Sequence, residues 1–186
     1  MKITICGIAE LGRHGAAGVT HVLSILDPGW PDPPAFAAFP PHHRIALRFH
    51  DVIAAAPGAT VPTVGDVAAL LDYGREVTAA GPDAHLLIHC HAGISRSTAS
   101  AALLLAQAEP VRPAAAIIAE IAGLRPRAWP NLLLLEYGEA ALGRRGELVA
   151  AVAAQYRRVL AADPQFGAFI AETGRGREVA LATGPR

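Results

Sequence analysis

Residues 85–97 decide the fold of this chain, and they read His85-Leu86-Leu87-Ile88-His89-Cys90-His91-Ala92-Gly93-Ile94-Ser95-Arg96-Ser97. An apolar run ends in a cysteine, short residues follow, and an arginine and a serine open an Ala/Leu-rich segment. The layout predicts a strand, a tight loop and a helix, with the backbone amides of the loop turned inward. A loop of this kind at the start of a helix binds anions.

The loop combines a nucleophile with a group that can hold phosphate. A thiol at Cys90 would be stabilised as the thiolate, because the nearby partial charges are positive. Arg96 carries a planar guanidinium that can grip two oxygens of one phosphate. This combination predicts phosphoryl transfer through a cysteine, without a metal ion or another cofactor.

The same stretch resembles the signature of the protein tyrosine phosphatase superfamily, His-Cys-x5-Arg-Ser/Thr. Residues 92–97, Ala-Gly-Ile-Ser-Arg-Ser, are similar to the loop of its dual-specificity branch. Downstream, Arg125-Pro126 followed by Pro130-Asn131 is similar to a second element of that branch. The resemblance spans roughly residues 1–142 and implies a three-layer phosphatase-like fold with cysteine-dependent catalysis.

The loop residues receive specific roles. We expect Cys90 to be the nucleophile, Arg96 the phosphate clamp, and Ser97 a hydrogen-bond donor that eases departure of sulfur. The resemblance implies that His89 supports the loop from behind. The remaining residues are expected to bind the substrate phosphate together with Arg96, and they are His91, Ala92, Gly93, Ile94 and Ser95.

A carboxylic acid must protonate the leaving group when a phosphomonoester is cleaved. Asp51 is the preferred candidate, because it directly follows a strand-like run and the resemblance implies an acid in that position. Its spacing to Cys90 is longer than the resemblance leads us to expect. Asp32, in Trp30-Pro31-Asp32, copies the acid loop of tyrosine-specific enzymes and remains an alternative, as do Asp27 and Asp66.

The order of elements predicts an α/β fold with a mainly parallel sheet of four to five strands, covered by helices on both faces. The predicted strands are 2–6, 20–26, 44–49 and 85–89, and the predicted helices are 63–80, 96–108, 112–123, 131–142 and 145–162. A proline-rich surface loop is expected over 27–41. We expect one phosphatase domain over 1–172 and a mobile C-terminal tail over 173–186.

Composition limits the classes of partner. The chain has 16 basic residues (Lys and Arg) and 16 acidic residues (Asp and Glu), so its formal net charge is zero. A neutral chain favours neither nucleic-acid nor membrane binding. With only two cysteines, Cys6 and Cys90, a reactive unpaired thiol suits a reducing cytoplasm. The sequence leaves the oligomeric state open.

These features predict a phosphomonoester hydrolase acting on phosphotyrosine or on mixed phosphoprotein substrates. The loop lacks the lysines that the resemblance associates with phosphoinositide substrates. Two alternatives remain open: a phosphatase of a small non-protein phosphomonoester, and a non-catalytic module that binds phosphorylated residues.

Overall fold

The computed structural model describes residues 2–184 and contains a four-stranded sheet. Its strands are β1 (Lys2–Gly7), β2 (His21–Leu26), β3 (His43–Arg48) and β4 (His85–Cys90). They lie in the order β1-β4-β2-β3, and every neighbouring pair is parallel. The α/β class and the mainly parallel sheet predicted from the sequence are therefore confirmed.

Strand β4 occupies the interior of the sheet and is buried along its whole length. Its side chains alternate between the two faces, as strand geometry requires. Leu86, Ile88 and Cys90 join the main core, whereas Leu87 joins a smaller cluster on the opposite face. Because the sheet is parallel, the carboxyl ends of β1, β2 and β4 meet at one edge, where such folds bind ligands.

Helices cover the main-core face. They are α1 (Val64–Ala79), α2 (Arg96–Ala108), α3 (Ala114–Leu124), α4 (Leu132–Ala141) and α5 (Glu147–Ala162). Two 3₁₀ segments, Ile8–His14 and Pro34–Ala38, cover the other face, and the second lies inside the predicted loop over 27–41. Within residues 2–184 no helix is long and apolar enough to cross a membrane.

The C-terminal region differs from the sequence prediction. Instead of a mobile tail from residue 173, the chain forms α6 (Pro164–Ile170), a wide turn (Ala171–Arg175) and α7 (Gly176–Thr183). The charges of this segment look solvated in the sequence, whereas Arg175 and Glu178 are buried and paired in the structure. The division into a domain over 1–172 and a tail stays a prediction. Residues 185 and 186, also part of that predicted tail, lie outside the described residues.

Candidate active site

The loop after β4 is locked onto the end of β1 by two glycines. Gly93 has a φ of +70°, and a Cβ there would lie 2.5 Å from the backbone carbon of Cys6. A Cβ on Gly7 would lie 2.9 Å from the carbonyl oxygen of His91. The Ile8 amide also donates to that carbonyl at 3.0 Å. Only glycine allows this approach of two backbones, so the loop geometry is fixed by sequence.

Cys90 lies at the bottom of the loop and is buried. Its Sγ is 3.3 Å from the Gly93 amide, which donates to it, and 3.2 Å from Ser97 Oγ. Both groups can donate to a thiolate, and α2 begins at the adjacent Arg96, which adds the positive end of a helix. Two hydrogen-bond donors and the start of a helix therefore surround the sulfur of Cys90.

Cys6, on the neighbouring strand, has a different environment. Burial, with a further contribution from Glu10, raises the pKa of the Cys6 thiol to about 12. Cys6 therefore stays protonated at neutral pH and is a poor nucleophile.

Arg96 is almost fully buried and is held at one end of its guanidinium. Its Nη1 donates to Asp27 Oδ1 and to the Phe49 carbonyl oxygen, both at 2.6 Å. Its Nε is buried and has no hydrogen-bond partner among the described residues. A buried donor without a partner is costly, and a phosphate oxygen would satisfy it. Arg96 is therefore oriented from behind, with a donor left over for an anion.

Arg125 fixes the loop from its outer side. Its Nε donates to the Gly93 carbonyl at 3.0 Å, and its Nη2 donates to the Ala92 carbonyl at 3.2 Å. Its Nη1 is 3.0 Å from both carboxylate oxygens of Glu10, which in turn accepts from the Gly7 amide. Because Arg125 holds the loop carbonyls outward, the loop amides are free to point toward an anion.

His89 lies behind the loop, fully buried on the face opposite Cys90. Its Nε2 is 2.7 Å from Ser24 Oγ, and that oxygen also accepts from Arg44 Nε at 2.8 Å. Burial, aided by the nearby Arg44 charge, lowers the pKa of His89 to about 4. A neutral, fixed imidazole suits a supporting part and does not suit proton transfer at neutral pH.

His91 is at the rim of the pocket. Its Nε2 accepts from the Asp27 amide at 3.2 Å, and its ring meets Trp30 edge-on at 4.4 Å. Burial lowers the pKa of His91, although Asp27 opposes the shift. His91 therefore packs as a neutral ring that supports the segment carrying Asp27.

Asp51 lines the pocket that also contains Cys90 and Arg96. Its Oδ1 accepts from Ser95 Oγ at 2.7 Å and from Asn131 Nδ2 at 2.9 Å. Its Oδ2 lies 3.0 Å from Arg175 Nη1. The structure thus places Asp51 beside the loop, and it is the one candidate acid among the four aspartates that lines this pocket.

The other three aspartates do not line the pocket, and each has a structural partner. Asp32 pairs with Arg44 at 2.9 Å and with Arg48 at 2.6 Å along β3, and Arg44 lowers the pKa of its carboxyl. Asp66 caps α1 reciprocally with Thr63. Asp27 pairs with Arg96.

The pocket has a volume of about 280 Å³, and its far wall comes from the C-terminal segment. That wall contains Phe166, Phe169 and Ile170 of α6 together with Thr173 and Arg175 of the following turn. Phe166 meets the buried Trp129 edge-on at 5.4 Å, and Phe169 stacks against Phe166 at 6.1 Å. One side of the pocket therefore carries donors that suit an anion, while the other is aromatic.

Most of the loop residues expected to bind phosphate line this pocket. They are His91, Ala92, Ile94, Ser95 and Arg96. Gly93 and Ser97 reach Cys90 from behind through hydrogen bonds. The loop residues predicted from the sequence are thus brought together around one sulfur.

Sequence reasoning missed several residues of the site. It assigned no part to Asp27 as the partner of Arg96, and it overlooked Arg175 and the aromatic wall. Arg125 and Asn131 were visible only as members of the Arg-Pro and Pro-Asn element.

The chain has the fold of solved cysteine phosphatases of the dual-specificity type. It resembles human DUSP28 with a TM-score of 0.57 and 21% identity, covering 76% of this chain and 94% of that one. It also resembles PTPMT1, solved in complex with PI(5)P, with a TM-score of 0.54 and 18% identity over 77% and 94% of the two chains. A third similar structure is a human tyrosine phosphatase-like serine/threonine/tyrosine-interacting protein, with a TM-score of 0.51 and 16% identity over 75% and 87%. No protein-family model matches the sequence, and a search of curated proteins finds no match.

Proposed function

We propose that this protein is a metal-independent phosphomonoester hydrolase that forms a phosphocysteine on Cys90. The observation that carries the proposal is the meeting of two features at one pocket. Cys90 Sγ is within hydrogen-bonding distance of Gly93 N and Ser97 Oγ, and Arg96 beside it keeps a buried Nε without a partner among the described residues. A phosphate seated on Arg96 and the loop amides would lie directly above the sulfur.

The first step transfers the phosphoryl group to sulfur. The Cys90 thiolate attacks phosphorus in line, so that a sulfur–phosphorus bond forms as the bond to the leaving oxygen breaks. Asp51 supplies the proton that the leaving oxygen takes up. Arg96 and the inward amides hold the three remaining oxygens, where charge is concentrated in the transition state.

The second step releases phosphate. Water attacks the phosphocysteine while Asp51 takes its proton, and the sulfur leaves as a thiolate that Ser97 Oγ stabilises. The reaction consumes one water and yields an alcohol or phenol and inorganic phosphate. Arg96 and the backbone dipoles neutralise the charge, so the mechanism requires no metal ion.

Phosphorylated tyrosine in a protein is the substrate that the pocket favours. Phe166, Phe169 and Ile170 present an apolar and aromatic wall opposite the phosphate-binding loop. Such a wall contacts the ring of an aryl phosphate but makes few contacts with the short side chain of phosphoserine. PTPMT1 was solved with a phosphoinositide, whereas the loop here, residues 91–95, contains no lysine to meet additional phosphates.

Turnover of p-nitrophenyl phosphate in the presence of EDTA tests the proposal. The wild-type protein should hydrolyse it and Cys90→Ser should not. Cys6→Ala is the matched control, because it removes the other thiol, and it should retain activity. Turnover that disappears with EDTA, or that persists in Cys90→Ser, would contradict the mechanism.

A non-catalytic phosphoresidue-binding module is the second candidate. One structure with this fold is described as a phosphatase-like interacting protein. In addition, the carboxylate of Asp51 is held by three donors. Tight binding of a phosphotyrosine peptide by the wild-type protein without release of phosphate would favour this second function.

A further inference from the structure

Arg175 reaches the pocket from a part of the chain that the family resemblance, over residues 1–142, does not cover. It ends the wide turn after α6, its side chain is only 5% exposed, and it lines the same pocket as Cys90. No step of the proposed reaction uses it. A buried arginine beside a candidate acid requires an explanation in terms of its partners.

Glu178 anchors the guanidinium from below. Arg175 Nε and Nη2 donate to its two carboxylate oxygens at 2.9 and 2.7 Å, in the two-point geometry that fixes an arginine plane. Glu178 is fully buried and accepts two further bonds, from Trp129 Nε1 at 2.6 Å and from the Leu132 amide at 2.9 Å. Each carboxylate oxygen of Glu178 therefore accepts two hydrogen bonds, and Arg175 is anchored to a buried, fully bonded partner.

The remaining nitrogen of Arg175 points to the candidate acid. Nη1 is 3.0 Å from Asp51 Oδ2, while Ser95 and Asn131 occupy Oδ1. Burial lowers the pKa of Arg175, but Asp51 and Glu178 outweigh burial and the pKa is raised overall, so the guanidinium stays charged. Three separate segments of the chain thus fix the two oxygens of one carboxyl group.

We propose that Arg175 is a positioning residue that acts through Asp51. It fixes the orientation of the Asp51 carboxyl group by contacting Oδ2, the oxygen that Ser95 and Asn131 do not contact. The C-terminal segment is then part of the catalytic unit rather than an appendage. This inference rests on the proposed function, because it assumes that Asp51 transfers a proton during turnover.

The test compares two substrates in Arg175→Met. A residue that acts through the acid matters most when the leaving group is a strong base. For phenyl phosphate, kcat should fall by at least about tenfold with KM changed less than about twofold, since the phosphate clamp is untouched. For p-nitrophenyl phosphate, whose leaving group needs little protonation, the loss should be much smaller. Arg177→Met is the control: Arg177 is exposed, pairs with Glu136 and does not line the pocket, so its kinetics should match the wild type.

A double variant separates positioning from general damage. If Arg175 acts through Asp51, Asp51→Asn/Arg175→Met should be no slower than Asp51→Asn alone. Losses that multiply, or an equal loss on both substrates, would overturn the inference while leaving the proposed function intact. A wild-type protein that hydrolyses neither substrate would overturn both.

Folding is controlled separately, because Arg175→Met leaves Glu178 buried without its partner. If that variant does not fold, Arg175→Met/Glu178→Gln removes both buried charges. The glutamine side chain introduced at position 178 keeps one carbonyl oxygen that can accept from Trp129 Nε1 or from the Leu132 amide. The same dependence on leaving group is expected there, and its absence in a folded double variant would contradict the inference.

Discussion

At the scale of single residues, four aspartates have different structural roles because their neighbours differ. Asp27 orients Arg96, Asp66 caps a helix, and Asp32 is neutralised by two arginines on β3. Only Asp51, among these four, combines a place in the pocket with donors that fix one of its oxygens. The assignment of Asp51 as the acid therefore rests on placement rather than on a sequence motif.

Asp51→Asn should lower kcat for phenyl phosphate by roughly 10²–10⁴-fold, the usual contribution of a positioned acid. The loss should be smaller for p-nitrophenyl phosphate. Steady-state kinetics on both substrates provide the measurement. Asp32→Asn is the matched control and should behave as wild type, because Asp32 pairs with Arg44 and Arg48 outside the pocket. If Asp32→Asn carried the large loss instead, the acid would belong to the Trp30-Pro31-Asp32 segment.

At the scale of elements, much of the fold could be predicted from the sequence. Apolar runs with β-branched residues marked the strands, and Thr63 marked the start of α1, because burial and capping leave local signals. The loop over 89–97 could also be predicted from local signals: its cysteine ends a strand, its glycine allows the tight turn, and its arginine begins a helix.

The missed features depend on contacts that are distant in sequence. In the sequence, Arg175 and Glu178 look like solvated charges in a Gly- and Arg-rich stretch. In the structure, Arg175 contacts Asp51 and Glu178 contacts Trp129, and both partners are distant in sequence. Asp27 likewise belongs to the site through a contact with a residue distant in sequence, Arg96. No local pattern reports such pairs, so the local composition of the C-terminal segment favours a tail.

Helix α6 should determine the preference for aryl substrates. Phe169 is 58% exposed at the pocket wall, so Phe169→Ala removes an aromatic contact with little effect on the core. An aromatic pair is worth about 0.5–1.5 kcal/mol, which corresponds to a fall of about two- to tenfold in kcat/KM for a phosphotyrosine peptide. A phosphoserine peptide should be unaffected, and Phe169→Leu should be intermediate.

Leu124→Ala is the control for this substitution, because Leu124 is exposed at the end of α3 and does not line the pocket. Equal losses on both peptides in Phe169→Ala would show that α6 does not select the leaving group.

At the scale of the whole molecule, the sheet gathers residues from distant segments at the carboxyl ends of its strands. The end of β4 supplies Cys90, the segment after β3 supplies Asp51, and the C-terminal turn supplies Arg175. His89 lies on the other face of the same strand and is buried as a neutral ring. The stability of the folded protein therefore depends on the protonation of His89.

Stability should fall on mild acidification. The folded protein keeps His89 neutral down to about pH 4, whereas the unfolded chain takes up a proton near pH 6.5. Protonation therefore stabilises the unfolded chain as the pH drops from about 6.5 toward 4, and the contribution of His89 to the free energy of unfolding decreases by about 2 kcal/mol between pH 7 and pH 5.

Urea unfolding at the two pH values measures this effect. The pKa values of His21, His85 and His91 are also lowered, so these residues act in the same direction and remain in a His89→Asn variant. The difference between wild type and His89→Asn therefore isolates His89. An equal slope in wild type and His89→Asn would show that His89 is not buried as a neutral ring.

If Cys90 carries the phosphoryl group during turnover, a rapid acid quench should trap that group on the cysteine. The protein is mixed with a radiolabelled aryl phosphate, quenched within one turnover, digested, and the labelled peptide is identified. Label is expected on the peptide containing Cys90, and no label is expected in Cys90→Ser. Turnover with no labelled cysteine, or with label on another residue, would contradict this expectation.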